Sequence, residues 1–170
     1  MHFNQRGMKK LIKKYVFSCL GILFFLLFLF AKEDNPLKVE ASVSPKRLSR
    51  GQEGKITLKI SVEEGITIIP QPSFMIEFRP SEEVIFPKNF FTASDLEVET
   101  LEEDGEEYLN LKKPIEIPFS INLKAERGNH VLKGKIKYFA NCKEEGWCLK
   151  SSTKFSASFY TRRTVVRKKK

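Results

Sequence analysis

The fold is decided by the stretch Tyr138-Phe-Ala-Asn-Cys-Lys-Glu-Glu-Gly-Trp-Cys148 and by the two runs of residues that flank it. Apolar and polar residues alternate in Val131–Tyr138 and again in Leu149–Tyr160, as they do in strands that have one buried face. Gly146 stands where a tight reversal of the chain would need a glycine. The sequence therefore predicts a β-hairpin with two cysteines near its tip.

Five residues separate these two cysteines, Cys142 and Cys148. With a strand on each side, this spacing predicts that the two sulfurs face each other across the mouth of the hairpin. A disulfide requires Cα atoms about 4.4–6.8 Å apart, which such an arrangement would satisfy. We therefore expect a cysteine pair that can open and close at the end of a β-sheet.

The chain before the hairpin repeats the same β pattern. Glycine and proline residues separate its runs at short intervals, and no stretch of the domain keeps a helical period. The alternating runs are Leu37–Val43, Lys55–Val62, Phe74–Phe78 and Ile115–Leu123. About seven to nine short strands of this kind predict an all-β domain folded as a two-sheet sandwich of immunoglobulin type.

Residues 1–31 have the pattern of an export signal. Five Lys and Arg residues within the first fourteen precede Tyr15–Ala31, an apolar run without charge. A basic leader followed by such a run directs the chain across a membrane. Its length fits both a cleaved signal peptide and an uncleaved anchor helix. The expected location is periplasmic or otherwise extracytoplasmic, with a tether to the inner membrane if the signal is not cleaved.

The predicted organisation is a signal or anchor at 1–31, a linker at 32–36, the sandwich at 37–160 and a basic tail at 161–170. The net charge of +9 comes from the two ends of the chain. Without five basic residues of the leader and six of the tail, 19 Lys and Arg residues remain against 21 Asp and Glu residues. Such a domain lacks the basic footprint of a nucleic-acid-binding protein, so nucleic acid is not expected as its partner.

Only the cysteine pair offers chemistry that the sequence pattern identifies. The two histidines, His2 and His130, indicate neither a metal site nor a Ser-His-Asp arrangement. Two cysteines without a second pair fall short of the four ligands of a structural zinc. We therefore expect no metal and no cofactor, and we take Cys142 and Cys148 as the candidate catalytic residues.

A disulfide at this hairpin has two interpretations. Oxidising compartments make disulfides by default, so the bond can be purely structural. A ring of about seven residues stabilises by only roughly 2.4 kcal/mol on the loop-entropy formula, and an exposed bond is open to attack by a partner thiolate. The sequence favours a redox-active pair. The alternatives are a binding or assembly module with a structural disulfide, and a subunit that only docks a redox enzyme.

The hairpin carries the pattern Tyr-x-x-x-Cys-x-x-x-Gly-aromatic-Cys, which resembles the N-terminal periplasmic domain of the thiol:disulfide interchange protein DsbD. The matching residues are Tyr138, Cys142, Gly146, Trp147 and Cys148. The resemblance implies an immunoglobulin-like redox domain that passes reducing equivalents by disulfide exchange. It implies thioredoxin-like or membrane-embedded thiol–disulfide proteins as partners, and Cys148 as the cysteine that enters the mixed disulfide.

Two features of that family differ here. Family members often have a proline soon after the second cysteine, where this chain has Leu149-Lys150. The family also shields its disulfide with an aromatic residue on a loop, whereas the corresponding segment here, Glu102–Glu107, has none. Phe90 and Phe91 are the candidates to supply this shield from a neighbouring loop. The alternative interpretation is that both are core residues at a strand edge.

Overall fold

The computed structural model describes residues 35–71, 74–103 and 105–162, and every regular element in these ranges is a β-strand. The predicted all-β class is confirmed. No helix in the described ranges is long and apolar enough to cross a membrane, and the predicted signal or anchor lies outside them. The strands are β1 (Leu37–Ser44), β2 (Arg47–Ser49), β3 (Glu53–Val62), β4 (Ile66–Ile68), β5 (Met75–Phe78), β6 (Val84–Ile85), β7 (Phe90–Thr92), β8 (Thr100–Glu103), β9 (Glu106–Leu109), β10 (Ile115–Ile121), β11 (Gly128–Cys142) and β12 (Trp147–Arg162).

Two sheets pack face to face, and β8 and β9 form a separate two-stranded hairpin. One sheet has the order β1-β3-β10-β6, and the other has the order β2-β12-β11-β5-β7, with β4 paired to the last residues of β11. In an immunoglobulin sandwich, strands A, B, E and D form one sheet and strands C, F and G the other. Giving the letters A to G in chain order to β1, β3, β5, β6, β10, β11 and β12 reproduces this division. The predicted two-sheet sandwich is therefore confirmed.

The core lies between the two sheets and follows the alternation of the strands. In β10, Ile115, Ile117, Phe119 and Ile121 are buried, and the residues between them are more exposed. Aromatic rings join the two layers, since the ring centroids of Phe119 and Phe159 lie 6.0 Å apart. Burial of each large apolar side chain contributes roughly 1.5–3 kcal/mol to folding, so the core fixes which face of each strand points outward.

The first and the last strand mark the ends of the sandwich. The first strand starts at Leu37, whereas β12 continues to Arg162, two residues further than predicted. The reason is that Thr161 is fully buried and lies opposite Leu48 of the parallel strand β2. Two residues of the predicted basic tail are thus part of the sheet, and residues 163–170 lie outside the described ranges.

Candidate functional site

The hairpin predicted around Gly146 is present. Its strands, β11 and β12, have 15 and 16 residues and pair antiparallel up to Cys142 and Trp147. Residues 143–146 make the turn, where the amide N–H of Gly146 donates to the carbonyl oxygen of Cys142 at an N···O distance of 2.9 Å. Gly146 has a φ angle of 69°, a left-handed conformation that favours glycine. The glycine therefore serves the reversal of the chain, as predicted.

The two cysteines lie on opposite faces of the sheet. Cys142 is paired with Trp147, and Cys148 is paired with Asn141. Because directly paired residues share a face and consecutive residues alternate, Cys142 points toward the core and Cys148 points toward solvent. Their burial agrees, since Cys142 is only 7% exposed whereas Cys148 is exposed. Both thiols are free.

The expectation that the two sulfurs face each other is therefore wrong, and the reason is the length of the turn. With a turn of four residues, the residue opposite Cys142 is Trp147; a turn of five would bring Cys148 to that position. Side chains alternate between the two faces of a sheet with a period of two. This offset of one residue therefore places the two thiols on opposite faces. Either a redox-active or a structural Cys142–Cys148 disulfide would require a shift in register.

Tyr138, a candidate supporting residue, has a structural role. Its side chain is fully buried, and its hydroxyl donates to the side-chain oxygen of Asn35. The same hydroxyl lies 3.2 Å from the hydroxyl of Thr153. Asn35 in turn donates from Nδ2 to the carbonyl oxygen of Ser152 at 3.1 Å. These hydrogen bonds attach Asn35, the first described residue of the domain, to both β11 and β12.

The aromatic candidates are divided between two places. Trp147 lies directly opposite Cys142, and its indole N–H donates to a carboxylate oxygen of Glu145 at 2.6 Å. Phe90 and Phe91 lie in β7, which pairs with β5 at the level of Ile136 and thus six residues along β11 from Cys142. They do not shield the cysteines. The core interpretation holds for the buried Phe91 but not for Phe90, which is 49% exposed.

The hairpin of β8 and β9 lies beside the tip of the long hairpin and makes it acidic. A carboxylate oxygen of Glu106 lies 3.4 Å from Nδ2 of Asn141 and 3.5 Å from Nζ of Lys143. Lys143 also donates to the carbonyl oxygen of Glu103 at 3.4 Å. The side chains of Lys143 and Glu106 are 40% and 57% exposed, so solvent screens their charges and the pair contributes at most about 1 kcal/mol.

The middle of the long hairpin carries a second candidate surface, which we did not predict from the sequence. The outward positions of β11 and β12 hold every Lys, Arg, Asp and Glu residue of the two strands, and all of these residues are cationic. We name this surface the lysine face; it consists of Lys133, Lys135, Lys137, Lys150, Lys154 and Arg162. The signal that points to it is Lys-x-Lys-x-Lys at 133–137, because alternate residues of a strand share a face.

The pairing of β11 with β12 brings like charges together on this face. Lys135 and Lys154 are directly opposite each other, an arrangement that destabilises a sheet. Glu77 of β5 relieves part of this repulsion, with carboxylate oxygens 2.5 Å from Nζ of Lys137 and 3.0 Å from Nζ of Lys135. Hydrogen bonds from Lys137 and Lys135 hold the pKa of Glu77 below its ordinary value. In the described part of the chain, no carboxylate pairs with Lys133 or Lys154.

The chemistry that the lysine face offers is electrostatic binding of anions. Its ammonium groups are strong hydrogen-bond donors and carry no acceptor. Within the ranges that the structure describes, no group of three or more His, Cys, Asp or Glu side chains could hold a metal ion. The surface therefore suits the recognition of a negatively charged partner.

No family model matches the chain, and no curated protein matches it in sequence. Solved structures that resemble it include a cohesin module from the family 33 glycoside hydrolase of Clostridium perfringens ATCC13124, murine CRIg, and the collagen adhesin CNA of S. aureus. Sequence identities are 9%, 10% and 14%, and TM-scores are 0.40, 0.31 and 0.30. The matches cover 75%, 75% and 76% of this chain, and 96%, 99% and 44% of the other chains. At these TM-scores the similarities support no conclusion, and the sandwich assignment rests on the strand order described above.

Proposed function

We propose that the sandwich is a binding module that recognises an acidic protein partner through its lysine face. The observation that carries this proposal is the charge of β11 and β12, whose outward positions hold six cationic and no anionic side chains. A solvated sheet surface without a binding role normally mixes both signs, because cross-strand pairs of opposite charge stabilise a sheet. Repulsion between Lys135 and Lys154 is a cost that an anionic partner would remove.

The distribution of charge over the domain supports the same proposal. Residues 35–162 contain 19 Lys and Arg residues and 19 Asp and Glu residues, so the domain as a whole is neutral. Ten acidic residues and one basic residue lie between 82 and 107, whereas the strands of the long hairpin are purely cationic. Segregated charge of this kind gives a neutral protein a strong local field, which steers a charged partner and sets its orientation.

Thiol–disulfide exchange is not supported by the positions of the two cysteines. In an exchanging pair, one cysteine attacks the mixed disulfide that the other forms with a partner, so that the intramolecular S–S bond closes as the partner thiolate leaves. With Cys142 facing the core and Cys148 facing solvent, each closure would first break the hydrogen-bonded pairing at the hairpin tip. The module proposed here therefore differs from the alternative predicted from the sequence in one respect, since it needs no disulfide.

Display outside the cytoplasm completes the proposal. Its support is the basic leader and apolar run of residues 1–31, which lie outside the described residues. A module of this kind would act on a partner in an extracytoplasmic space, held near the membrane if the leader is retained. Fusion of a periplasm-dependent phosphatase after Arg162 tests it, since phosphatase activity requires export and an inactive fusion would contradict it.

Binding of poly-L-glutamate to the full chain in a non-ionic detergent tests the lysine face. We expect replacement of Lys133, Lys135 and Lys154 by Gln to weaken binding about tenfold, because three exposed ion pairs of up to about 1 kcal/mol each are lost. The matched control replaces three exposed lysines elsewhere, Lys38, Lys59 and Lys124, and has the same net charge. Both variants keep the basic ends of the chain, so the difference between their affinities for poly-L-glutamate reports the contribution of the lysine face alone. Equal affinities in the two variants would contradict the proposal.

A further inference from the structure

Three apolar side chains lie on the outer side of the sheet that contains β11 and β12, the side that carries the lysine face. Phe90 of β7 is directly opposite Glu77 of β5, and Glu77 is directly opposite Lys135 of β11. Because directly paired residues share a face, Phe90 lies on the same side of the sheet as Lys135. Met75 shares this side because it lies two residues from Glu77 along β5. Phe139 shares it because it lies four residues from Lys135 along β11.

The burial of these three side chains agrees with the register. Phe90 is 49% exposed, whereas its neighbour Phe91 is 5% exposed and faces the core. Met75 and Phe139 are partly exposed, and none of the three belongs to the apolar cluster between the two sheets. All three side chains therefore point away from the core of the sandwich.

The three side chains form a diagonal line across β7, β5 and β11, which we name the apolar stripe: Phe90, Met75 and Phe139. The step from Phe90 to Met75 is one strand across and two residues along, and the same step leads from Met75 to Phe139. Diagonal neighbours in antiparallel strands have Cα atoms about 7–8 Å apart, within reach of aromatic and long side chains. A single exposed apolar residue is normal on a protein surface, whereas a contiguous row with a polar border is typical of an interaction site.

Cations of the lysine face border the stripe on the side toward β12. Lys137 is directly opposite Met75, and Lys150 is directly opposite Phe139. The Nζ atom of Lys150 lies over the ring of Phe139, 5.9 Å from its centroid. Protein–protein interfaces have the same layout, with a centre enriched in aromatic residues and methionine and a polar rim.

A carboxylate near the Phe90 end of the stripe is neutralised within the domain. Asp95 accepts a hydrogen bond from the amide N–H of Thr92, the residue opposite Met75. The carboxylate of Asp95 also pairs with Lys88, at an Nζ···O distance of 2.5 Å. The charge that a partner meets beside the stripe is therefore mainly that of the lysine face.

We infer that the apolar stripe is the centre of the contact surface of the binding module and receives an apolar side chain of the acidic partner. The partner would place carboxylates on Lys137 and Lys150 and cover the stripe between them and β7. A second copy of the chain does not meet this requirement, because it would bring two cationic faces together. The inference rests on the proposed function and adds the apolar part of the partner's chemistry.

Two synthetic polymers test the stripe in the full chain, with the same detergent in every sample. A random copolymer of glutamate and tyrosine should bind at least about fivefold more tightly than poly-L-glutamate of equal charge, because only the copolymer can cover the stripe with apolar groups. Phe90→Ser should bring the two affinities within about twofold of each other, because it removes the most exposed ring of the stripe. Ile85→Ser is the matched control; Ile85 is 53% exposed on the other sheet, and its replacement should keep the preference for the copolymer.

Oxidation of Met75 by hydrogen peroxide measures the same contact in the unchanged protein and does not depend on how the variants fold. Met75 is the only methionine between residues 35 and 162, so its sulfoxide is identified from a single peptide mass. Saturating copolymer should slow this oxidation at least about threefold more than saturating poly-L-glutamate does, because the reaction requires an accessible sulfur. N-acetylmethionine added to each sample provides the reference rate.

Three results would overturn the apolar stripe and leave the lysine face intact: equal affinity of the unchanged chain for the two polymers, equal loss of preference in Phe90→Ser and Ile85→Ser, or equal oxidation of Met75 with either polymer bound. Self-association of the chain alone that Phe90→Ser abolishes would assign the stripe to a second copy and overturn the inference too. Absence of binding to either polymer would overturn the proposed function itself.

Discussion

The pairing register of β11 and β12 has opposite effects at the tip and in the middle of the long hairpin. At the tip, the pairing of Cys142 with Trp147 sends two thiols that are close in sequence to different faces of the sheet. In the middle, the same pairing collects lysines that lie about twenty residues apart in the chain, such as Lys135 and Lys154, on a single face. The strand pairing thus separates the two cysteines, which stand out in the sequence, and brings together lysines that do not.

The largest expected effect is on disulfide formation at the tip. Cys19, the third cysteine of the chain, lies in the apolar run near its start and is replaced by Ser for this test. In that background, oxidation with diamide should leave Cys142 and Cys148 as free thiols. Asn141→Cys in the same background should form a disulfide with Cys148 almost completely, because directly paired residues have Cα atoms about 4.5–5.5 Å apart. Thiol titration and intact mass measure the outcome. Formation of a Cys142–Cys148 bond in the parent protein would show that the register is not fixed and would revive the exchange hypothesis.

Replacing a glycine by alanine in the middle and at the tip of the long hairpin compares how tightly the two regions are packed. Gly134→Ala should lower the free energy of unfolding by about 3 kcal/mol, since a Cβ there would lie 2.4 Å from the Phe155 ring and 2.8 Å from the carbonyl oxygen of Glu77. Gly146→Ala meets no atom within 4 Å and should cost only about 1 kcal/mol, from its left-handed φ of 69°. Denaturation in urea, followed by the fluorescence of Trp147, measures both. A larger loss at the tip would contradict the packing described here.

Removal of one hydroxyl tests the structural role of Tyr138. Tyr138→Phe should cost about 1 kcal/mol, because it removes the hydrogen bonds that the fully buried Tyr138 makes with the partly buried side chains of Asn35 and Thr153. Tyr160→Phe is the control; its hydroxyl accepts a hydrogen bond from Nε of Arg127 at 3.0 Å in an exposed position and should change stability by a few tenths of a kcal/mol at most. Equal losses in the two variants, measured by urea denaturation, would argue against a buried anchor.

The smallest effect concerns the pH dependence of stability at the lysine face. The pKa of Glu77 is lowered in the folded state by hydrogen bonds from Lys137 and then Lys135, so its contribution is present above the pKa of the unfolded chain. That contribution is lost as the pH falls through the lower folded pKa. Glu77→Gln should therefore flatten the acid limb of stability against pH below about 4.5, by a few tenths of a kcal/mol. Glu40→Gln, exposed on the other sheet, should leave the curve unchanged.

The fold was predictable because alternation reports burial directly. The runs Leu37–Val43, Lys55–Val62 and Ile115–Leu123 each fall on an observed strand, and the glycine of the hairpin turn lies where the sequence placed it. The face of each cysteine was not predictable, because five intervening residues fit a four-residue and a five-residue turn equally well. The contact between Tyr138 and Asn35 joins residues 103 positions apart, and no local pattern encodes it.

Only part of the lysine face could be predicted from the sequence. The alternation at 133–137 places three cations on one side of β11, but the addition of Lys150 and Lys154 depends on the register of two long strands. The close contact of Gly134 with the ring of Phe155 on the core side of the same strands is likewise identified only by pairing. Cysteine and tryptophan stand out in a sequence because they are rare, whereas the proposed site consists of common residues in an uncommon arrangement.

The pairing of β2 with β12 is confined to residues 160–162, and this has a consequence for solubility. In the described part of the chain, β12 is hydrogen-bonded by backbone on one side only from Trp147 to Phe159, which leaves a long open edge. Such edges invite a second copy to extend the sheet into a fibril. Lys150 and Lys154 charge this edge, and Asn35 occupies the carbonyl of Ser152. The cations proposed to attract a partner therefore also oppose pairing of the β12 edge with a second copy of the chain.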